Sequence, residues 1–165
     1  MNRAASIELG RQQQREPSIL ASDQFVTVEV ADYAFAIPLG DVLEVEQIPT
    51  VAPVPASYPW VDGAVNLRGS VLTLIDLAQL LEIAVRQPTN ASRMLVVSRE
   101  DPVAIAVDRL RGMRRLEHRI DSPIIEHLPG RAAQYCRGLY RLDGEYVGAL
   151  DIEKLLGDAE GEGHN

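Results

Sequence analysis

Hydrophobic and polar residues alternate with a period of two along most of this chain. Residues 26–30 read Val-Thr-Val-Glu-Val, and residues 33–37 read Tyr-Ala-Phe-Ala-Ile. Successive side chains of a strand point to opposite faces, so this period predicts two β-strands. The Ala-Asp pair between the runs predicts the turn of a hairpin. Residues 42–48, VLEVEQI, predict a further strand.

The alternation stops in the middle of the chain and then returns. Four prolines between residues 49 and 59 exclude a central strand or a long helix there. The segments RMLVVSRE and PVAIAVDRL predict a strand pair joined near Asp101-Pro102, and MRRLEHRI predicts a strand with one polar face. The segment LYRLDGEYVGALD predicts a hairpin whose tight turn is Asp143-Gly144.

An internal repeat links the two halves of the chain. The segments NLRGSVLTLIDLAQLL and RLDGEYVGALDIEKLL align without a gap, and the pattern of Tyr33-Phe35-Ile37 corresponds loosely to Val103-Ile105-Val107. The identical positions are Leu67 and Leu142, Gly69 and Gly144, Asp76 and Asp151, Leu80 and Leu155, and Leu81 and Leu156. We infer a duplication of mostly β halves. Their many short strands must close up or pack together, which predicts two small β-barrels.

Composition and charge narrow the class of protein. The 165 residues are 46% hydrophobic and 24% charged, so one core can form without a metal or a disulfide. A net charge of -8 argues against non-specific binding to nucleic acid or to an anionic membrane. The single cysteine, Cys136, suits a reducing compartment, and no segment resembles a membrane span or a signal peptide. The expectation is a cytoplasmic protein.

No enzyme can be assembled from the residues present. The three histidines show no zinc-binding spacing, and the chain has no G-x-S-x-G, P-loop or G-x-G-x-x-G motif. Asp76 follows a strand as in phospho-accepting receiver domains, but the required acidic pair is missing and the only lysine, Lys154, lies in a predicted helix. Asp76 and Asp151 are therefore predicted to cap helix N-termini. No catalytic residue, cofactor or metal site is predicted.

Two charged clusters are candidate interaction surfaces. An arginine cluster comprises Arg109, Arg111, Arg114, Arg115 and Arg119. It fits a solvated strand face, a docking patch for an acidic partner, or an RNA-binding patch, although an aromatic platform for bases is missing. In the first half, Asp41, Glu44 and Glu46 lie on a strand that could offer its edge to another protein.

Arg68 stands out because the repeat does not share it. Asp143 takes its place in the second half and is a good residue ahead of a turn glycine, whereas arginine gains nothing from that geometry. The residues leave two explanations open. Arg68 is either a charge tolerated in an exposed turn, pairing with a carboxylate such as Asp62 or Glu44, or it binds a partner.

Three segments carry a resemblance to a known family. They are PWVDGAV continuing into NLRGSVLTLIDLAQLL, then VAIAVDRL, and finally GLYRLDGEYVGALDIEKLL. These segments, in this order, resemble the CheW-like adaptor domains of bacterial chemotaxis. The resemblance extends from about Phe25 to Asp158. The resemblance implies a mostly β fold of two SH3-like, five-stranded β-barrel subdomains with short helices. The polar composition of the two ends predicts a flexible arm at 1–24 and a flexible tail at 159–165, and the repeat places the subdomains at about 25–90 and 91–158.

The resemblance also implies a function without catalysis. Such domains couple the cytoplasmic tips of methyl-accepting chemoreceptors to the regulatory domain of a CheA-type histidine kinase, and other CheW-like domains are further candidate partners. Carried over by position, the implied contact residues are Val42, Glu44, Gly63 and Arg68, with Asn66 and Leu67 completing the motif. A second candidate patch is Arg109, Arg111, Arg114 and Arg115.

Some positions depart from the family pattern. Thr73 stands where proline is usual, Gly112 breaks a hydrophobic pattern, and the neighbouring arginine cluster is heavy. These departures favour a specialised array, such as a pilus-linked twitching or phototaxis system. The alternative from another class is a stand-alone β-barrel that binds RNA or another anionic partner through Arg109–Arg119.

Overall fold

The structure is a computed structural model that describes residues 24–55, 57–97, 100–120 and 123–161. The predicted arm before Gln24 and the last four residues of the predicted tail lie outside the described residues. Residues 159–161 were predicted to belong to a flexible tail, but they form the last turn of a helix. The helix continues because Ala159 is buried against the hydrophobic core.

Short strands and three short α-helices make up most of the described chain. The strands are β1 (Gln24–Val30), β2 (Tyr33–Pro38), β3 (Val42–Gln47), β4 (Val61–Leu67), β5 (Ser70–Asp76), β6 (Arg93–Val97), β7 (Val103–Val107), β8 (Arg109–Arg115), β9 (Arg119–Ile120), β10 (Cys136–Leu142) and β11 (Glu145–Leu150). The helices are α1 (Leu77–Leu80), α2 (Ala132–Tyr135) and α3 (Ile152–Gly161), with 3-10 turns at Leu39–Asp41 and Pro123–His127. The prediction of a mostly β fold is confirmed.

The strands form two sheets. One has the order β3-β6-β7-β5-β4, and the other has the order β8-β1-β2-β11-β10-β9. The prediction of two SH3-like units is confirmed, although β9 makes the second sheet six-stranded where five strands were predicted. In neither sheet do the described edge strands hydrogen-bond to each other, so both sheets are open. In each sheet a side-chain ion pair spans the gap where a barrel would close, Arg68 with Glu44 in one and Arg114 with Asp143 in the other.

Each sheet draws strands from both halves of the sequence repeat. The β1–β2 hairpin of the first half lies between β8 and β11 of the second half. In return, the β6–β7 hairpin of the second half lies between β3 and β5 of the first. The two halves have therefore exchanged their first hairpins.

The sheets correspond strand by strand because of this exchange. Five consecutive strands match in order, β3 with β8, β6 with β1, β7 with β2, β5 with β11 and β4 with β10. Each sheet contains one parallel pair, β5 with β7 in one and β11 with β2 in the other. The turns at Arg68-Gly69 and Asp143-Gly144 also match, with φ angles of 50° and 86° in the first and 50° and 83° in the second. The sequence repeat thus reappears as a structural repeat.

Three hydrophobic clusters explain why several strands are apolar on both faces. The largest lies between the sheets and includes Val103, Ile105 and Val107 of β7, together with residues of α1 and α3. Ala104 and Ala106 of the same strand point into a second cluster behind their own sheet. The third cluster lies behind the other sheet. A strand buried on both faces reads as a continuous apolar run, as PVAIAV does.

Both predicted helix caps are present. The Asp76 carboxylate accepts hydrogen bonds from the backbone N–H groups of Ala78 and Gln79, at 3.0 and 3.4 Å, and begins α1. Asp151 accepts from the N–H of Lys154 at 3.1 Å in the first turn of α3. The two aspartates therefore have structural roles that need no phosphoryl chemistry.

Candidate partner-binding surface

The six residues predicted to contact partners lie on the two edges of the five-stranded sheet. Val42 and Glu44 belong to β3, and Gly63, Asn66 and Leu67 belong to β4. Although β3 and β4 are opposite edges, Arg68 in the turn after β4 reaches the acidic side chains of β3. The sheet is therefore curled, and the predicted residues surround the seam between its edges. We call this region the first seam.

Arg68 makes two ion pairs across the first seam. Its Nη1 donates to Glu44 Oε2 and its Nη2 donates to Glu46 Oε1, each at 2.7 Å. The hydrogen bond to Glu44, followed by the charge of Glu44, raises the pKa of Arg68 above its ordinary value. Of the two explanations that the sequence left open, pairing with Glu44 is observed. The Arg68 side chain is nevertheless 68% exposed, so a partner can still reach it.

The turn that carries Arg68 is held by Asn66 and Gly69. The side-chain oxygen of Asn66 accepts a hydrogen bond from the N–H of Gly69 at 2.9 Å. Arg68 itself has a φ of 50°, a left-handed conformation that is unfavourable for a residue with a side chain. Asn66 and Gly69 therefore shape the turn, and the turn places the Arg68 guanidinium over β3.

Contact with the proline-rich loop explains why position 63 is a glycine, which the sequence did not reveal. The φ of Gly63 is 147°, and a Cβ at this position would lie 2.2 Å from the carbonyl oxygen of Ala52. The space is occupied because Ala52 and Ala64 exchange two backbone hydrogen bonds of 2.8 Å. Glycine at this position lets the proline-rich loop lie across β4.

Leu43 exposes an apolar side chain at this surface, and it was not among the predicted contact residues. The register between β3 and β6 shifts between Val42 and Glu44, and Leu43 is the extra residue. Leu43 is 59% exposed, while Val42 and Leu67 are partly buried and pack against the hydrophobic clusters. A bulge of this kind cannot be inferred from alternation alone, because it interrupts the period that the alternation follows.

The second candidate patch lies on β8, an edge of the other sheet. Arg111 pairs with Glu145 at 2.6 Å and with Glu29 at 3.1 Å, and Arg114 pairs with Asp143 at 2.7 Å. Arg115 pairs with Glu117 at 3.3 Å. Much of the positive charge of this patch is therefore compensated within the chain, which fits the solvated strand face better than an anion-binding surface. We call the contact between Arg114 and Asp143 the second seam.

The two seams explain why Arg68 and Asp143 differ. In the first seam the turn supplies a cation, Arg68, and the edge strand β3 supplies the carboxylates. In the second seam the turn supplies a carboxylate, Asp143, and the corresponding edge strand β8 supplies the cation, Arg114. Each exposed pair is weak, but each joins a turn to the edge strand across an open sheet. Both seams therefore have an ion pair at the corresponding position, but the cation and the carboxylate have exchanged places between the turn and the edge strand.

A buried arginine near the first seam was not predicted. The Arg86 side chain is only 6% exposed, and its Nη2 donates to Asp62 Oδ2 at 2.5 Å. Its Nε lies 3.9 Å from Asp76 Oδ1, too far for a hydrogen bond. Burial, and then the charge of Asp62, raise the pKa of Asp76 above its ordinary value. Asp62 therefore pairs with Arg86 and not with Arg68.

The described residues contain no group of three or more histidine, cysteine or acidic side chains placed to hold a metal ion. Burial raises the pKa of the Cys136 thiol to about 12, so the thiolate needed of a nucleophile hardly forms at neutral pH. None of the described helices has the length and apolar character needed to cross a membrane.

Two open, SH3-like sheets around a shared core define a mostly β protein with an internal structural repeat. The family model described as "CheW-like domain" matches residues 24–160, and the chain therefore belongs to the CheW-like domain family. The resemblance stated from the sequence is thereby confirmed.

Relatives and a solved structure agree with this assignment. The chemotaxis protein CheW of Thermotoga maritima is 26% identical over 134 residues, covering 81% of this chain and 87% of the relative. Protein FrzA of Myxococcus xanthus is 26% identical over 81% of this chain and 84% of its own. Protein PilI of Pseudomonas aeruginosa is 35% identical over 48% of this chain and 46% of its own. In fold, the crystal structure of the scaffolding protein TtCheW from Thermoanaerobacter tengcongensis matches with a TM-score of 0.71 at 19% identity, covering 81% of this chain and 87% of that one.

Proposed function

We propose that this chain is a non-catalytic adaptor that couples chemoreceptors to a CheA-type histidine kinase in chemotaxis or a related motility system. The observation that carries the proposal is the family match over residues 24–160, which spans nearly all of the described chain. The relatives include proteins named for chemotaxis and the proteins FrzA and PilI. The chain acts in the cytoplasm, where receptor arrays recruit it. Within the described residues, the ion pairs of Arg111, Arg114 and Arg115 speak against the alternative of an RNA-binding barrel.

The first seam is the proposed contact surface for the kinase regulatory domain or the receptor tip. Within it, Glu44 and Arg68 present charged groups, and Leu43 adds an exposed apolar side chain. Gly63 and Asn66 support this surface through the backbone, while Val42 and Leu67 attach it to the core. Charged side chains together with an exposed apolar side chain suit a specific and reversible contact.

Binding and stability together test the proposal. We expect the substitution Arg68→Glu to leave the thermal melt nearly unchanged, because the side chain is exposed, and to weaken binding to a purified kinase regulatory domain or receptor tip at least tenfold. Arg137→Glu is the matched control, since it also reverses an exposed arginine that pairs with a carboxylate, Asp151, and it lies outside both candidate patches. Isothermal titration measures the binding, and circular dichroism measures the melt.

Two results would count against the assignment. An Arg68→Glu protein that no longer folds makes Arg68 purely structural. Wild-type protein that retains neither a histidine kinase nor a receptor in a pull-down from native cytosol, but shows salt-dependent RNA binding, favours the alternative.

A further inference from the structure

Neither half of this chain contains a complete set of the pairings that its strands make. Residues 24–81 hold β1 to β5, and residues 93–161 hold β6 to β11. The β1–β2 hairpin pairs on both sides with strands of the second half, and the β6–β7 hairpin pairs on both sides with strands of the first. The fold is therefore held by strand pairing between halves, and only one covalent segment connects them.

The connecting segment, residues 82–92, is held at a few separate points: Ile83 packs against the largest hydrophobic cluster, Arg86 pairs with Asp62, and Ser92 is buried. The segment contains no helix or strand, and it begins at Glu82 with a φ of 54°. Arg86 is its buried anchor, and the Nε and Nη1 atoms of that guanidinium are buried without a hydrogen-bond partner. Buried donors without acceptors lower stability, so this anchor holds the segment less firmly than its burial suggests. Val85 beside it is largely exposed.

Cavities on both sides of the segment support the same conclusion. One has a volume of about 380 Å³ and lies towards Ile48 and Arg93. The other has a volume of about 290 Å³ and lies towards Asp32 and Asp108. Arg86 lines both. The segment therefore borders open space on both sides, and moving it disturbs fewer contacts than separating the sheets that it connects.

We propose that residues 82–92 are a hinge through which two copies of this chain exchange complete halves and form a dimer. In that dimer the first half of each copy pairs with the second half of the other, and every strand pairing of the monomer is kept. Only the hinge conformation changes, so the balance between monomer and dimer depends on the contacts of the hinge and on protein concentration. This proposal does not depend on the proposed function.

Shortening the hinge provides the first test. Deleting the four residues Gln87 to Asn90 removes about 14 Å of chain reach, so a chain shortened in this way closes on itself less easily than on a second copy. We expect a folded protein of twice the monomer mass by light scattering, with an unchanged circular-dichroism spectrum. The matched control inserts Gly-Ser-Gly-Ser after Gln87 and is expected to remain a monomer. A folded monomer from the deletion overturns the proposal.

Refolding of the wild-type chain provides the second test and remains informative if the deletion variant does not fold. We expect refolding from denaturant at about 500 μM to give at least a fivefold larger dimer fraction than refolding at about 5 μM, since exchange is bimolecular. Native mass spectrometry then follows mixed labelled and unlabelled dimers. Exchanged dimers trade subunits only after denaturant is added. Absence of a dimer at the higher concentration, or a dimer that trades subunits freely in buffer, overturns the proposal.

Discussion

Replacing Gly63 by alanine tests whether this residue acts through the fold or through a partner. The new Cβ would lie 2.2 Å from the carbonyl oxygen of Ala52, so the loop must move and the two hydrogen bonds between Ala52 and Ala64 are lost. Two such bonds contribute about 1 kcal/mol each. A side chain at this positive φ adds about 1–3 kcal/mol of strain. We expect the free energy of unfolding to fall by about 3–5 kcal/mol, which is about 6–20 °C in melting temperature.

A second glycine separates the two causes of this loss. Gly112 also has a positive φ, of 126°, but a Cβ there meets no atom within 4 Å. Gly112→Ala therefore introduces the backbone strain without the clash, and we expect it to lose about 1–3 kcal/mol. Thermal and urea unfolding followed by circular dichroism measure both variants. If Gly63→Ala unfolds like Gly112→Ala but loses kinase or receptor binding, the steric argument is wrong and Gly63 is a contact residue.

Three further predictions concern charge and reactivity. Combining Arg68→Glu with Glu44→Arg exchanges the charges of the first seam and is expected to leave the melt close to that of the wild type, without recovering the binding that Arg68→Glu loses; restored binding means that Arg68 acts only through the seam. Arg114 lowers the pKa of Asp143, so their contribution to stability is present above the ordinary carboxyl pKa and is lost as pH falls through the lowered value; in Asp143→Asn this part of the acid titration disappears. With a pKa of about 12, Cys136 is expected to resist a thiol reagent at pH 8 until the protein unfolds, and rapid labelling of folded protein contradicts this.

The pattern of the sequence was sufficient for most strands and for the turns, although the predicted strand MRRLEHRI is interrupted at residues 116–118, between β8 and β9. Alternation located β1, β2 and β3, and the X-Gly pairs located both matching hairpin turns. These features depend on neighbouring residues, so they can be read from short segments. The caps at Asp76 and Asp151 were predictable for the same reason. Family motifs added the positions of the first seam, whose role in binding stays a prediction.

Other features depend on residues far apart in the chain. The clash that requires glycine at position 63 arises from the carbonyl of Ala52, and the burial of Arg86 depends on Asp62, 24 residues away. The extra residue in β3, Leu43, is defined only by its register against β6. No local pattern carries this information, because each feature is a contact between segments.

The exchange of hairpins is the clearest example of a feature that could not be predicted from the sequence. The repeat by itself determined that the chain is made of two similar halves, each with the same order of strands, turn and capped helix. Which hairpin completes which sheet was decided only in three dimensions, because both halves contain hairpins of similar pattern and the sequence does not distinguish between them. Arg68 illustrates the same division. The sequence showed that the turn did not need an arginine, and the tertiary structure showed that the opposite edge of the curled sheet supplies the carboxylates it pairs with.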